Sequence, residues 1–201
     1  VGFTTVPDKS SGDVFTEAMW DTYIKDNFNT GVPVLLADST VTGSVAASID
    51  LQDIPQDWTH LLLITYLRGD TAASLIQTYM RFNNDSSSNY DSQNVGGNAS
   101  SATAAEELAQ SGVPCTAMPA ASAGSNLFGS QIIHIPYYSQ ASNAKTAVTH
   151  AALKTGTTSG SVYMQVRSGF WRSNSAITRI TILASTGNLA IGSRVSLYGL
   201  P

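Results

Sequence analysis

Three histidines, His60, His134 and His150, are the side chains best suited to acid–base or metal chemistry in this chain. Each falls in a separate apolar, strand-like segment, and none has a Cys or carboxylate at the short spacing of zinc ligands. Each therefore reads as a strand residue with a satisfied ring. Neither a G-x-S-x-G elbow, a P-loop nor an H-E-x-x-H helix occurs. The 14 Asp and Glu residues could supply an acid pair for glycoside cleavage, but no spacing singles out two of them. The expectation is a protein without catalysis, metal or cofactor.

Two other groupings carry chemical potential. In "DSSSNYD", Asp85, Ser87, Asn89 and Asp91 fall at alternate positions and all bear oxygens of the kind calcium prefers. The glycine and terminal Glu of an EF loop are missing, and Asn and Asp favour turns in their own right, so a hairpin turn is the reading. Tyr137, Tyr138 and Trp171 could form a platform on which sugar rings stack, with a host surface glycan as partner. The competing reading puts Phe170 or Trp171 in the core and the tyrosines at its rim.

The elements that would position these residues are mostly strands. "VPVLLADSTV", "GSVAASIDL", "WTHLLLITYLRG", "SLIQTYMRFNND", "GSQIIHIPYY", "AKTAVTHAALK" and "GSVYMQVRSGFW" alternate or run apolar between turn residues. "WTHLLLITYLRG" has the composition of a strand covered on both faces. The chain closes with "AITRITILASTGNLAIGSRVSLYGL", two alternating segments broken at Thr186–Asn188, which reads as an end that seals the core. At least eight strands with short turns predict an all-β domain, a β-sandwich or jelly roll, over residues 34–201. Ser92–Gly129, rich in Ala, Ser and Gly, reads as a long loop with at most a short helix near Thr103–Gln110.

Residues 1–33 read differently. Val1–Gly12 lacks periodicity and suits an extended arm. Thr16 is a good N-cap for a three-turn amphipathic helix, with Phe15 and Trp20 placed as a hydrophobic staple. Phe15, Met19, Trp20, Tyr23, Ile24 and Phe28 would form an aromatic anchor that docks on the same sandwich or on another subunit.

Composition narrows the function classes. The chain has 201 residues, a 42% hydrophobic content and only 12% charged residues, about half the usual ~25%. A net charge of −4 with scattered basic residues speaks against a nucleic-acid partner. No apolar run reaches the ~18 residues that span a bilayer, and no basic, apolar leader is visible at the start, so neither a membrane nor a secretory route is expected.

In "MWDTYIKDNFNTGVP" the residues Trp20, Tyr23, Ile24, Asp26 and Asn27 follow a Trp-x-x-Tyr-(Ile/Val)-x-(Asp)-Asn pattern. That segment resembles one that precedes the first strand in many virion proteins of tailed bacteriophages. "ASIDLQDIPQDWTHLLLITYLRGD", "YMRFNNDSSSNYD", "GFWRSNSAITRITIL" and "GNLAIGSRVSLYGL" are similar to their later strands, ending in Leu-Tyr-Gly-(Ile/Leu). The resemblance runs in patches from Trp20 to Leu200. It implies a virion component with a β-sandwich body, forming a homotrimer and lacking catalysis: a capsid decoration (cement) protein, a head fibre, or a minor tail or receptor-binding protein. The chain has neither the repeats nor the heptads of a fibre shaft. A decoration protein on the capsid surface, bound to the major capsid protein or another virion protein, is therefore the expectation. A tail or head-fibre module that binds carbohydrate is the alternative.

Overall fold

A computed structural model describes residues 16–20 and 32–201. The first six strands are β1 (Val34–Thr40), β2 (Ser48–Leu51), β3 (His60–Leu67), β4 (Leu75–Phe82), β5 (Tyr90–Asn98) and β6 (Ser101–Gln110). The other six are β7 (Val113–Pro119), β8 (Gly129–Pro136), β9 (Lys145–Lys154), β10 (Val162–Trp171), β11 (Ile180–Ala184) and β12 (Arg194–Leu200). A short helix, α1 (Glu17–Trp20), precedes them; its Met19 N–H donates to the Thr16 side-chain oxygen at 3.3 Å, the N-cap bond the sequence predicts.

The fold is an all-β sandwich of two antiparallel sheets. The large sheet has eight strands in the order β1-β12-β3-β8-β9-β10-β5-β6, and the small one has four, β2-β11-β4-β7. Alternation places Leu61, Leu63, Ile133, Ile135, Val195 and Leu197 on the inner face of the large sheet, all essentially without solvent contact. They meet Ile49, Met80, Phe82, Met118, Ile180 and Ile182 from the small sheet. The last strand, β12, lies between β1 and β3. The sheets close tightly at Gly169, where a Cβ would stand 2.2 Å from a Val113 methyl carbon.

Three local expectations change. Ser92–Gly129 is not one long loop: it holds the end of β5, then β6 and β7. β6 is exposed on both faces at Ser101 to Glu106, so it carries no apolar alternation for a sequence reading to detect. Its main-chain pairing to β5 makes it a strand all the same. Besides two-residue turns at 99–100 and 111–112, residues 120–128 remain as loop, and Arg68 ties them down by donating to the carbonyls of Gly124 (2.9 Å), Leu127 (2.7 Å) and Ala123 (3.2 Å). The Asn83–Asn89 turn is not a hairpin; it carries the chain from β4 in the small sheet to β5 in the large one. And among the described residues β3 is covered on one face only, with Ile64 and Tyr66 exposed.

Two charged side chains sit inside. Lys145 is 2% exposed and donates to the main-chain carbonyls of Asn143 (2.6 Å) and Asn174 (3.2 Å), and burial lowers its pKa. Arg167 is 3% exposed and donates to Glu107 at 2.7 Å and to Ser92 at 3.3 Å.

Candidate interaction face

The open side of the large sheet gathers the chain's unspent apolar surface. Cross-strand register sets Ile64 beside Ile132, Ile132 beside His150, His150 beside Val166, and Val166 beside Val95. A parallel row runs Leu62, His134, Val148, Ser168, and a third runs Tyr66, Ser130, Ala152, Met164. Met164 is 68% exposed, Ile132 51% and Ile64 43%. No carboxylate, Lys or Arg stands in these rows between β3 and β10. The nearest charges flank them, with Arg194 paired to Asp38 on the β1–β12 side.

With ~4.8 Å between strands and ~3.3 Å per residue, the rows from β12 to β5 cover roughly 500 Å² in projection. Arg194, Ser196, Gln93 and the Ser and His residues of the rows take part of that area, so the apolar patch itself is smaller and within the ~300–600 Å² a typical monomer exposes. Two shallow hollows lie on it. One, of about 260 Å³, is bounded by Ile132, His150, Met164 and Val166; the other, of about 280 Å³, by Ile64, Tyr66, Ser196 and Tyr198. Both fall short of the ~300–1,000 Å³ of small-molecule sites, and neither is lined by a carboxylate; Ser130 and His150 both line the first, where the Ser130 hydroxyl donates to the Ala152 carbonyl at 3.4 Å.

The histidines are on this side too, on β3, β8 and β9, strands that the topology makes neighbours. His60 and His134 have ring centroids 5.4 Å apart, and His60 accepts the Tyr137 N–H on Nδ1 at 3.2 Å. Partial burial, then the nearby His60, lowers the His134 pKa below the ordinary histidine value. Among the described residues no three His, Cys, Asp or Glu side chains are grouped to hold a metal ion. The lone Cys115 is fully enclosed, and burial pushes its thiol up to about 12.

The sugar-platform residues separate. Pro136 ends β8, and Tyr137 adopts a left-handed backbone (φ 48°) that turns its ring outward against His60 while Tyr138 points inward. Tyr138 is wholly buried and its hydroxyl donates to the Pro55 carbonyl. Trp171 is 3% exposed, lodged against Phe82 and Tyr90. Of the three, Tyr137 alone presents a face to solvent, so the platform does not form. The competing reading holds for Trp171, while Phe170, its neighbour, points out.

The Asp85–Asp91 oxygens are occupied by protein donors. Asp85 accepts from the Trp171 indole N–H (2.7 Å), the Asn89 amide (2.9 Å) and the Ser87 N–H (2.9 Å). Asp91 pairs with Arg172 and accepts the Ala109 N–H. Partial burial works to raise the Asp85 pKa, yet the hydrogen bonds outweigh it and hold the carboxyl at about 2. Because the folded value lies below the unfolded one, this stabilisation is full above pH ~4 and is lost as pH falls toward 2. Asp85→Asn should therefore flatten the acid limb of a stability–pH curve between pH 4 and 2; an unchanged limb would refute the assignment.

Of the proposed anchor, Phe15, Tyr23, Ile24, Phe28 and the Trp20 side chain lie outside the described residues, and Met19 is half-buried. The outer-face residues Ile64, Ile132, Val148, Met164 and Val166 escaped the sequence reading. Of these, Ile64 has a signal in the sequence, the continuous apolar run of β3, whose composition suits cover on both faces. No described helix is long and apolar enough to cross a membrane. No family model, curated protein or solved structure matches this chain.

Proposed function

We propose that the protein is a structural accessory component of a bacteriophage virion, a capsid decoration protein whose body seats the outer face of its large sheet on a neighbouring particle protein. The observation that supports this reading is β3: its sequence asks for cover on both faces, and the described residues cover one. The resemblance of Trp20–Leu200 to tailed-phage virion proteins supplies the particle. Only the apolar part of that face contributes at ~25 cal/mol per Å², several kcal/mol before the costs of association, and repetition over a lattice adds avidity. The aromatic run from Phe15 to Phe28 adds a second contact in this reading.

The test is purified virions with and without the protein. Copy number should track that of the major shell protein. Ile132→Glu should fold normally yet bind depleted particles at least roughly tenfold more weakly, since one buried Ile contributes about 1.5–3 kcal/mol and 1.4 kcal/mol is tenfold. Wild-type binding by that variant, or a handful of copies at the tail, overturns the reading.

A further inference from the structure

Among the described residues, β6 is the last strand of the large sheet and pairs with β5 alone; its charges, Glu106 and Glu107, lie in its second half. The opposite edge, β1, is short, is broken by a bulge between Leu35 and Ala37, and carries Asp38 paired to Arg194. These are ordinary devices against edge-to-edge joining. β6 has ten residues with no Pro, Lys or Arg, and its one irregularity lies at the far end, near Ala109.

The free backbone groups can be placed. β5 and β6 join through a two-residue turn, Ala99–Ser100, closed by the pair Asn98–Ser101. Counting from that closing pair, Thr103 and Ala105 direct their N–H and C=O groups to Gly96 and Asn94. Ala102, Ala104 and Glu106 then direct theirs away from the sheet, with nothing among the described residues to receive them.

We propose that this edge is a self-association site: β6 pairs antiparallel with β6 of a second copy, centred on Ala104. In that register Ala104 meets its counterpart and Ala102 meets Glu106 of the other copy, so all outward groups of the three residues are bonded. The two Glu106 carboxylates stand about 13 Å apart, four residues of strand, beyond the ~8–10 Å screening length. A foreign strand is the poorer occupant. Recognition of foreign strands relies on pockets for alternate side chains, and β6 offers only Ser, Ala and Thr on two open faces over Ser101–Ala105. The product is a twofold pair with one continuous sheet, distinct from the threefold assembly that the phage resemblance implies.

Sedimentation of the full chain should show a dimer. Ala104→Pro removes one outward N–H while leaving every bond to β5, and prolines are tolerated at sheet edges, so this variant should be a folded monomer. Ala104→Cys should form a disulfide-linked dimer under mild oxidation, since Cα atoms of a directly opposed pair lie about 5.5 Å apart. The buried Cys115 does not compete. A wild-type monomer or trimer overturns the proposal, as does a dimer that survives Ala104→Pro without cross-linking through Ala104→Cys. Monomers that still bind particles would sink the pairing and leave the virion reading standing; dimers absent from particles would do the reverse.

Discussion

Trp171→Ala is expected to lower the unfolding free energy by about 3–5 kcal/mol, the range for truncating a large buried aromatic. The indole is 3% exposed, lies 5.6 Å from the Phe82 ring and stacks on Tyr90 at 6.2 Å with a 13° interplanar angle. Its N–H also donates to Asp85 at 2.7 Å, so the truncation both opens a cavity and weakens the bonds that shape the β4–β5 crossing. At ~2–4 °C per kcal/mol for a chain of this size, the melting temperature should fall by roughly 10 °C. Trp171→Phe keeps most of the volume and loses the charge-assisted hydrogen bond, so a smaller loss of about 1.5–3 kcal/mol is expected. A denaturation midpoint unmoved by the alanine substitution would refute the core assignment. Reduced cell adsorption by Trp171→Ala would report unfolding rather than lost sugar contact; Tyr137→Ala, at an exposed ring, is the clean variant for that question.

The second large effect concerns Arg167 and Glu107, and its sign depends on which partner is removed. Glu107→Ala leaves a guanidinium that is 3% exposed with only the Ser92 hydroxyl, at 3.3 Å, as acceptor. Breaking a buried pair from one side costs about 3–5 kcal/mol. Glu107 is itself 35% exposed, so water reaches the pair and the lower end, about 3 kcal/mol, is expected. Arg167→Leu removes the charge instead of stranding it. The bonds to Glu107 and Ser92 are lost, but Glu107 is 35% exposed and can turn to water while the burial cost of the guanidinium, whose Nε has no partner among the described residues, disappears, so the change should be within about 1 kcal/mol of neutral. Urea titration of the two single variants settles the order; Arg167→Leu proving the more damaging would overturn this account.

How far the fold could be read ahead of the structure follows from where solvent contrast exists. β4 alternates Ile76, Thr78, Met80 and Phe82 inward against half-exposed neighbours, because one face meets the core and the other water. β8, β9 and β12 behave alike, and all were legible. β6 was not, since a strand exposed on both faces has no contrast to display. Trp171 and Tyr138 could be named as important but not assigned to core or rim, because an aromatic ring suits either and the choice depends on which way a strand faces. For Tyr138 that was set by the left-handed turn at Tyr137, one residue after Pro136.

The same distinction separates what the chain determined alone from what its folding decided. Strand-forming segments, their turns, the inward residues of most strands and the Thr16 cap are local properties, governed by period, propensity and short-range hydrogen bonds. They stand in the sequence. Which strands share a sheet is set by pairings as distant as β1 with β12 and β2 with β11. Those pairings bring three scattered histidines onto neighbouring strands, assemble an apolar face from β3, β8, β9 and β10, and leave β6, among the described residues, with β5 on one side and no strand on the other. A one-dimensional pattern records how much surface each strand must bury; only the assembled sheets determine whether the chain itself, or another body, provides the cover.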